Sequence, residues 1–283
     1  MIDLHVHSTA SDGTLSPRDV VYLAAEKQLT AIALTDHDTA AGLPEAMAAA
    51  GHAGIELVPG VEMSCVWQGT EIHVLGYFAD LSSPALIEGL RWVRAFRDER
   101  NEIILDNLAE DGIFITKEEL TDGNPGTVIT RAHFANVLEK KGIVRNRKEA
   151  FAGYLLAGGK YVPSKDELTP ERVMNMFLES RMWPSLAHPG QYRLDEDTLM
   201  LLLSELKGMG LRGIEVWHPS HSWQESARLL TIARLSGLLP TGGSDFHGSR
   251  KPDIELGTGR GNLRVRDQVL EAVREDYASI QWE

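Results

Sequence analysis

The sequence predicts an α/β fold in which parallel strands are joined by helical crossovers, interrupted by one stretch that is purely helical. Three observations lead there. Short apolar runs alternate with helix-like segments at both ends of the chain. The strand signal disappears between about residues 84 and 165. Carboxylates and imidazoles recur at the C-terminal ends of successive strands, where a parallel barrel assembles its active site. A length of 283 residues is sufficient for such a barrel, since one barrel alone can use about 250 residues.

The elements follow in order. Residues 2–8 (IDLHVHS) alternate apolar and polar and read as a strand. Ser16 then offers an N-cap and Pro17 a first helical position, with Val20, Val21, Leu23 and Ala24 as the apolar face. Residues 31–35 read as a buried strand, 43–50 as a helix, 55–58 as a strand and 70–77 (TEIHVLGY) as another. Later, strands are expected at 184–188, 213–217 and 238–242, with helices near 195–207, 223–235 and 265–274. Strand followed by helix, repeated, implies parallel pairing. In the middle, residues 90–110 form one long helical stretch, DGNPG at 122–126 is a turn, and 131–141 is a helix closed by Gly142. Residues 86–165 are therefore expected to form a small helical domain inserted into a barrel domain made of 1–85 and 166–283.

Composition narrows the function. Lys plus Arg is 28 and Asp plus Glu is 41, a net charge of −13, which argues against a non-specific nucleic-acid coat or an anionic-lipid binder. The single cysteine, Cys65, excludes an intrachain disulfide and suits a cytoplasmic setting. Neither a targeting segment nor an apolar run of membrane-spanning length is visible, so no membrane association is expected.

His5 and His7 lie two apart on the first strand, so both rings point to one face. Alone, that pattern also fits a polar strand face. Asp12 follows in SDG; Asp36, His37 and Asp38 lie in TDHD after the second strand. Glu62 is expected to end the third strand in PGVEMS, and His73 lies in the next. His188 ends a later strand in SLAHPG, and Asp245 and His247 follow the last in GGSDFHG. Core packing gives no reason for charged groups at one end of strand after strand. Asp36 and Asp38 are read as partners that orient His37, the commoner use of such flanking carboxylates.

HxH, SDG, TDHD, the Glu of PGVE, the His of AHP and the final SDFH, in that order, resemble the polymerase and histidinol phosphatase (PHP) family over roughly residues 1–80 and 166–260. The resemblance implies a distorted, TIM-like (β/α)7 barrel that binds two to three divalent metal ions and hydrolyses phosphate esters. It assigns His5, His7, Asp245 and a bridging Glu62 to a first ion. Glu62, His73 and His188 would hold a second, and Asp12, His37 and His247 a third. Mn²⁺ is the expected ion, with Fe²⁺ or Zn²⁺ as alternatives; Asp12 is a hard ligand that tilts the choice away from Zn²⁺.

His218 and His221, in EVWHPSH beyond a strand end, are candidates for protonating the leaving group, set against a role as hydrogen-bonded loop residues. Arg131 (VITRAH) and Lys160 (AGGKYVP) match family positions that contact a phosphate. Within the family, the short TDHD loop and the helical insertion look most similar to the branch with nucleoside 3′,5′-bisphosphate phosphatases and an RNA 5′-end exonuclease. The expected substrate is thus a small phosphorylated nucleotide, with short 5′-phosphorylated RNA as the alternative. A histidinol-phosphate phosphatase, an amidohydrolase and a non-catalytic PHP module that supports a polymerase are the rival readings. No protein partner is implied.

Overall fold

The computed structural model describes residues 1–124, 126–163 and 168–282. Its strands are β1 (Ile2–Val6), β2 (Ala31–Leu34), β3 (Glu56–Trp67), β4 (Thr70–Tyr77), β5 (Trp183–Leu186), β6 (Gly213–Trp217) and β7 (Leu239–Gly242). Its helices are α1 (Pro17–Glu26), α2 (Leu43–Ala53), α3 (Pro84–Glu110), α4 (Lys117–Thr121), α5 (Arg131–Lys140), α6 (Arg147–Gly153), α7 (Pro170–Glu179), α8 (Glu196–Gly208), α9 (Trp223–Ser236) and α10 (Asp267–Ser279). The strands form one sheet in sequence order. The chain after β7 returns to β1: Asp245 N donates to His5 O at 2.8 Å and His7 N to Phe246 O at 3.0 Å. The sheet is therefore a nearly closed seven-stranded barrel.

Side chains alternate along the strands. Ile32 and Leu34 of β2 face outward onto Val20, Val21 and Ala24 of α1 and Leu43 and Ala46 of α2. Ala31 and Ala33 face inward with Ile2, Leu4, Val58, Leu75, Tyr77 and Trp183, which fill the barrel. Trp183 fits because residue 213 is glycine: a Cβ there would lie 2.4 Å from its ring. Ser16 caps α1 with Pro17 in the first turn, as the sequence suggests.

Two expectations are corrected. The barrel is not all parallel, because β4 runs antiparallel to both β3 and β5. The cause is local: β3 and β4 are joined only by Gln68 and Gly69, both at positive φ, the conformation of a tight two-residue hairpin. Nor does the third strand end near 58. It continues to Trp67, pairing with β2 over its first four residues and with β4 over the remainder. Pro59-Gly60 resembles a stop signal, yet Pro59 still takes its place opposite Leu34. Glu62 thus sits mid-strand.

The helical stretch has its own core, built on Ile104, Leu108, Leu120, Phe134, Leu138 and Leu155. The 27-residue helix α3 belongs to both cores. Leu86 and Val93 pack on the barrel, whereas Ile104 and Leu108 pack in the helical unit. The expected far boundary, between 165 and 166, lies outside the described residues.

Candidate active site

Each candidate ligand reaches the barrel mouth for a local reason. Asp3 and His5 share one face of β1, and His7 follows one residue past its end. Residue 243 must be glycine for β7 to pass, because a Cβ there would meet His5 at 2.4 Å. The TDHD segment lies along β3, with Glu62 N donating to Asp36 O and Asp38 N to Glu62 O, which sets His37 beside Glu62. His73 pairs across the hairpin with Ser64, on the same face as Glu62. His188 follows β5, and Asp245 and His247 follow β7.

The nine residues converge. Their donor atoms fall into four overlapping groups: His7, Asp12, His37 and His247; His5, His7 and Asp245; His5, Glu62 and His188; His37, Glu62 and His73. The third-ion set expected from the sequence is present, with His7 added. His188 and His73 fall into separate groups around Glu62, although both lie 2.9 Å from its Oε1. Glu62 is the hub. Its Oε2 lies 3.1 Å from His5 Nε2, 3.2 Å from His7 Nε2 and 3.1 Å from His37 Nδ1.

Five imidazoles around one fully buried carboxylate cannot all be served by protons. His5 Nε2, both nitrogens of His7, His37 Nδ1 and Glu62 Oε2 are buried and lack hydrogen-bond partners. Such orphaned groups are costly unless something else satisfies them. Convergent imidazole and carboxylate lone pairs are the donor set of a divalent transition metal, so these residues fit the ions that the family resemblance implies. Burial opposes charge on each ring. Burial is outweighed at His7 by Asp245 and Glu62 and at His73 by Glu62 and Glu71, which lift the pKa to about 9 and about 10. At His37 and His188 burial prevails and the rings are held low.

Among the neighbouring carboxylates Glu215 and Glu71 are bonded to rings of the cluster, whereas the Asp36 and Asp38 side chains bond elsewhere, so the expectation that these two orient His37 is not met among the described contacts. Glu215, mid-strand in β6 and fully buried, lies 3.2 Å from His5 Nδ1 and accepts the His188 N–H at 2.7 Å. Asp3 accepts from the backbone of Ser244 and Gly257. Asp36 turns away from the cluster to accept from Ser8 and Ser11, and Asp38 pairs with Arg97 of α3. His188 and Asp245 have positive φ, 25° and 52°. Such strain is tolerated where function fixes the geometry.

The other candidates divide. His218 faces the site, with Nε2 3.3 Å from Asp245 Oδ2. His221 does not fit a proton-donor role: its Nδ1 is bound to Val216 O and its Nε2 accepts from Gly190 N, so both nitrogens serve the main chain. Arg131 grips Glu71, with Nη2 2.7 Å from both oxygens, and Glu71 in turn lies 3.3 Å from His73 Nε2. Lys160 is exposed and pairs with Asp111 just past the end of α3. Among the described contacts none links it to the cluster, which weighs against a phosphate role.

Sequence reasoning missed Glu215, Glu71, Arg97, Arg100 and Lys251. Glu215 carried a signal, a carboxylate inside the apolar strand GIEVW. Lys251, with Nζ 2.6 Å from Asp245 Oδ2, carried none, since only folding brings that turn to the mouth.

Comparison with known proteins agrees with this geometry. The PHP domain model matches residues 3–139. A 3′,5′-nucleoside bisphosphate phosphatase of Chromobacterium violaceum is 35% identical over 259 residues, 90% of each chain. The 5′-3′ exoribonuclease Rnm of Salmonella typhimurium is 36% identical, covering 90% of this chain and 87% of its own. A solved structure from Bifidobacterium adolescentis, named as a candidate metal-dependent phosphoesterase, superposes with a TM-score of 0.83 at 31% identity, covering 96% of this chain and 94% of its own. With its ordered motifs, its barrel and relatives matched over most of both chains, the chain belongs to the PHP domain family.

Proposed function

We propose that the protein is a metal-dependent phosphomonoesterase acting on a small nucleotide with two phosphates, a nucleoside 3′,5′-bisphosphate cleaved to a 5′-nucleotide and phosphate. The observation that carries the substrate choice is a cavity of about 70 Å³ beside the cluster. Arg97, Arg100, Arg131 and Glu71 line it, and Glu71 touches His73. Arg97 is committed to Asp38 and Arg131 to Glu71. Arg100 bonds only its neighbour Asn101 among the described contacts, and its Nε is buried without a partner. A guanidinium in that state is suited to a phosphate, which it can bind through two parallel hydrogen bonds. The second phosphate would bind here while the first is hydrolysed at the cluster.

His5, His7, Asp12, His37, Glu62, His73, His188, Asp245 and His247 would hold two or three divalent ions. When bound, such ions polarise phosphoryl oxygens and lower the pKa of water. The chain's own groups do the rest. Glu215 fixes the ring of His5 through Nδ1. Burial pushes the His218 pKa down to about 4, and Ser220 N donates to its Nδ1, which leaves Nε2 to donate to Asp245 Oδ2 at the mouth. Lys251 brings positive charge to the same oxygen of Asp245.

A phosphate-release screen with Mn²⁺ tests the reading, using nucleoside 3′,5′-bisphosphates, short 5′-phosphorylated RNAs and histidinol phosphate. Arg100→Met should raise KM about tenfold or more for the bisphosphate, the loss of a charge-assisted bond, and Arg131→Ala should raise it by leaving the Glu71 carboxylate unpaired beside the phosphate position. An aryl phosphate should be little affected. Equal effects on both substrates would remove the second-phosphate assignment. A second reading, 5′-3′ hydrolysis of short RNA, is supported by the exoribonuclease relative, which matches as well as the phosphatase does. Release of 5′-mononucleotides from the RNAs, followed by chromatography because this cleavage frees no inorganic phosphate, at a kcat/KM above that for bisphosphates would favour it.

A further inference from the structure

We infer that Thr130, at the start of α5, and Arg250, after β7, are positioning residues that hold Asp12 in place as a cation ligand; the inference rests on the metal reading above. The two carboxylate oxygens of Asp12 have separate partners. Oδ1 faces the cluster, 3.2 Å from His247 Nε2 and 3.9 Å from His7 Nδ1 and His37 Nε2. Oδ2 accepts the Thr130 hydroxyl at 3.2 Å. The Asp12 backbone carbonyl accepts from Arg250 Nη1 at 2.9 Å, and that same nitrogen stands 2.9 Å from His133 of α5.

The Asp12 loop does not fix this carboxylate by itself. It belongs to no strand, and within the loop its only side-chain contact is Ser11 Oγ at 3.5 Å. The loop is instead clasped from the helical unit. Val128 N donates to Ala10 O at 3.0 Å and Thr127 Oγ1 to Thr9 O at 2.9 Å. Asp12 and Thr130 are both buried, 4% and 7% exposed, so water does not compete for Oδ2. A hydroxyl both donates and accepts. Thr130 thus reaches Asp12 Oδ2, with His133 Nδ1 also 3.2 Å from the hydroxyl, while accepting Ala132 N at 3.2 Å as the cap of α5. Its neighbour Arg131 lines the arginine cavity. One helical turn from the helical unit therefore reaches both the cation cluster and the phosphate-binding candidate.

The test separates positioning from capping. Glycine retains most of the value of an N-cap and removes the hydroxyl, whereas serine keeps both. Mn²⁺ binding to the full-length protein would be measured by calorimetry and by metal content after gel filtration. Loss of a ligand's hydrogen-bond partner typically costs about 10–100-fold in metal affinity. Thr130→Gly should weaken one Mn²⁺ step by that factor and leave the other steps unchanged, and Thr130→Ser should restore it. Arg250→Gln, which leaves the cap intact, should weaken the same step and serves if Thr130→Gly does not fold. An unchanged isotherm in either folded variant, or equal weakening of every step, overturns the proposal. Wild-type protein that binds no Mn²⁺ would instead defeat the metal reading on which it rests.

Discussion

Glu62→Gln is the most informative single substitution, because the structure specifies which binding steps it should remove. The side chains are nearly isosteric, so the barrel should persist. The change replaces a carboxylate oxygen with an amide that points N–H groups at imidazole lone pairs. Glu62 takes part in two of the four donor groups, one with His5 and His188, the other with His37 and His73. The group of His7, Asp12, His37 and His247 does not need it. Mn²⁺ binding should therefore fall selectively, with at least one step retained. At the lost positions the effect should exceed the roughly 10–100-fold typical of losing only a ligand's hydrogen-bond partner. Bisphosphate hydrolysis should drop by at least about 10³ in kcat/KM, roughly 4 kcal/mol of transition-state stabilisation. Metal analysis and steady-state phosphate release on the same preparation provide both numbers. Full metal content together with activity within about tenfold of wild type would refute the placement of Glu62 as the hub.

Further outcomes follow from the same geometry. Glu215→Gln should weaken Mn²⁺ binding about 10–100-fold by freeing the His5 ring, with little change in Tm measured in chelator; wild-type affinity would show that His5 needs no such partner. Mn²⁺ uptake should release protons and tighten as pH rises from about 6.5 toward 9 or 10. His7 and His73, lifted to about 9 and about 10, hold protons below those values that a cation must displace. The same raised values stabilise the protein without metal below pH 6.5 and lose that contribution as pH rises through them, so its Tm should fall over that window. Calorimetry in buffers of different ionisation enthalpy and a Tm series with chelator check both signs. Gly213→Ala should cost about 1–3 kcal/mol by forcing Trp183 aside, read as a lower urea midpoint. Lys160→Ala should leave KM for the bisphosphate unchanged, and a large rise would restore Lys160 as a phosphate ligand.

Much of the barrel was legible because its signals are local. Alternation in IDLHVHS and the Ser16-Pro17 start of α1 are readable within a few residues, and both elements form as expected. The cluster of nine candidate ligands was legible because each member sits in a short motif. What stayed hidden depends on relations between distant segments. The antiparallel course of β4 follows from a two-residue turn whose flanking strands look like any other pair. Which imidazole approaches which oxygen of Glu62 depends on barrel closure, and no spacing encodes it. Arg97 and Arg100 lie among many charges on the long helix α3, and on sequence grounds they resemble any solvated helix face. Only the bend of the chain around the barrel turns them toward Asp38 and Glu71.

The site is built at the expense of stability. Its hub is a fully buried carboxylate surrounded by imidazoles with orphaned nitrogens, and two of its members hold backbone angles that ordinary residues avoid. Repacking such a centre with apolar side chains would be neutral or stabilising in many proteins. Here the arrangement is coherent only if a cation shares the charge. A ligand bound by the folded chain and not by the unfolded one adds its binding free energy to folding. Stability and chemistry are then coupled through the same nine side chains, and the acidic balance of the chain ceases to oppose an anionic substrate. On the proposed reading, the local field that a phosphate meets would be set by the ions together with Arg100, Arg131 and Lys251, and the net charge of −13 would govern only the approach from a distance.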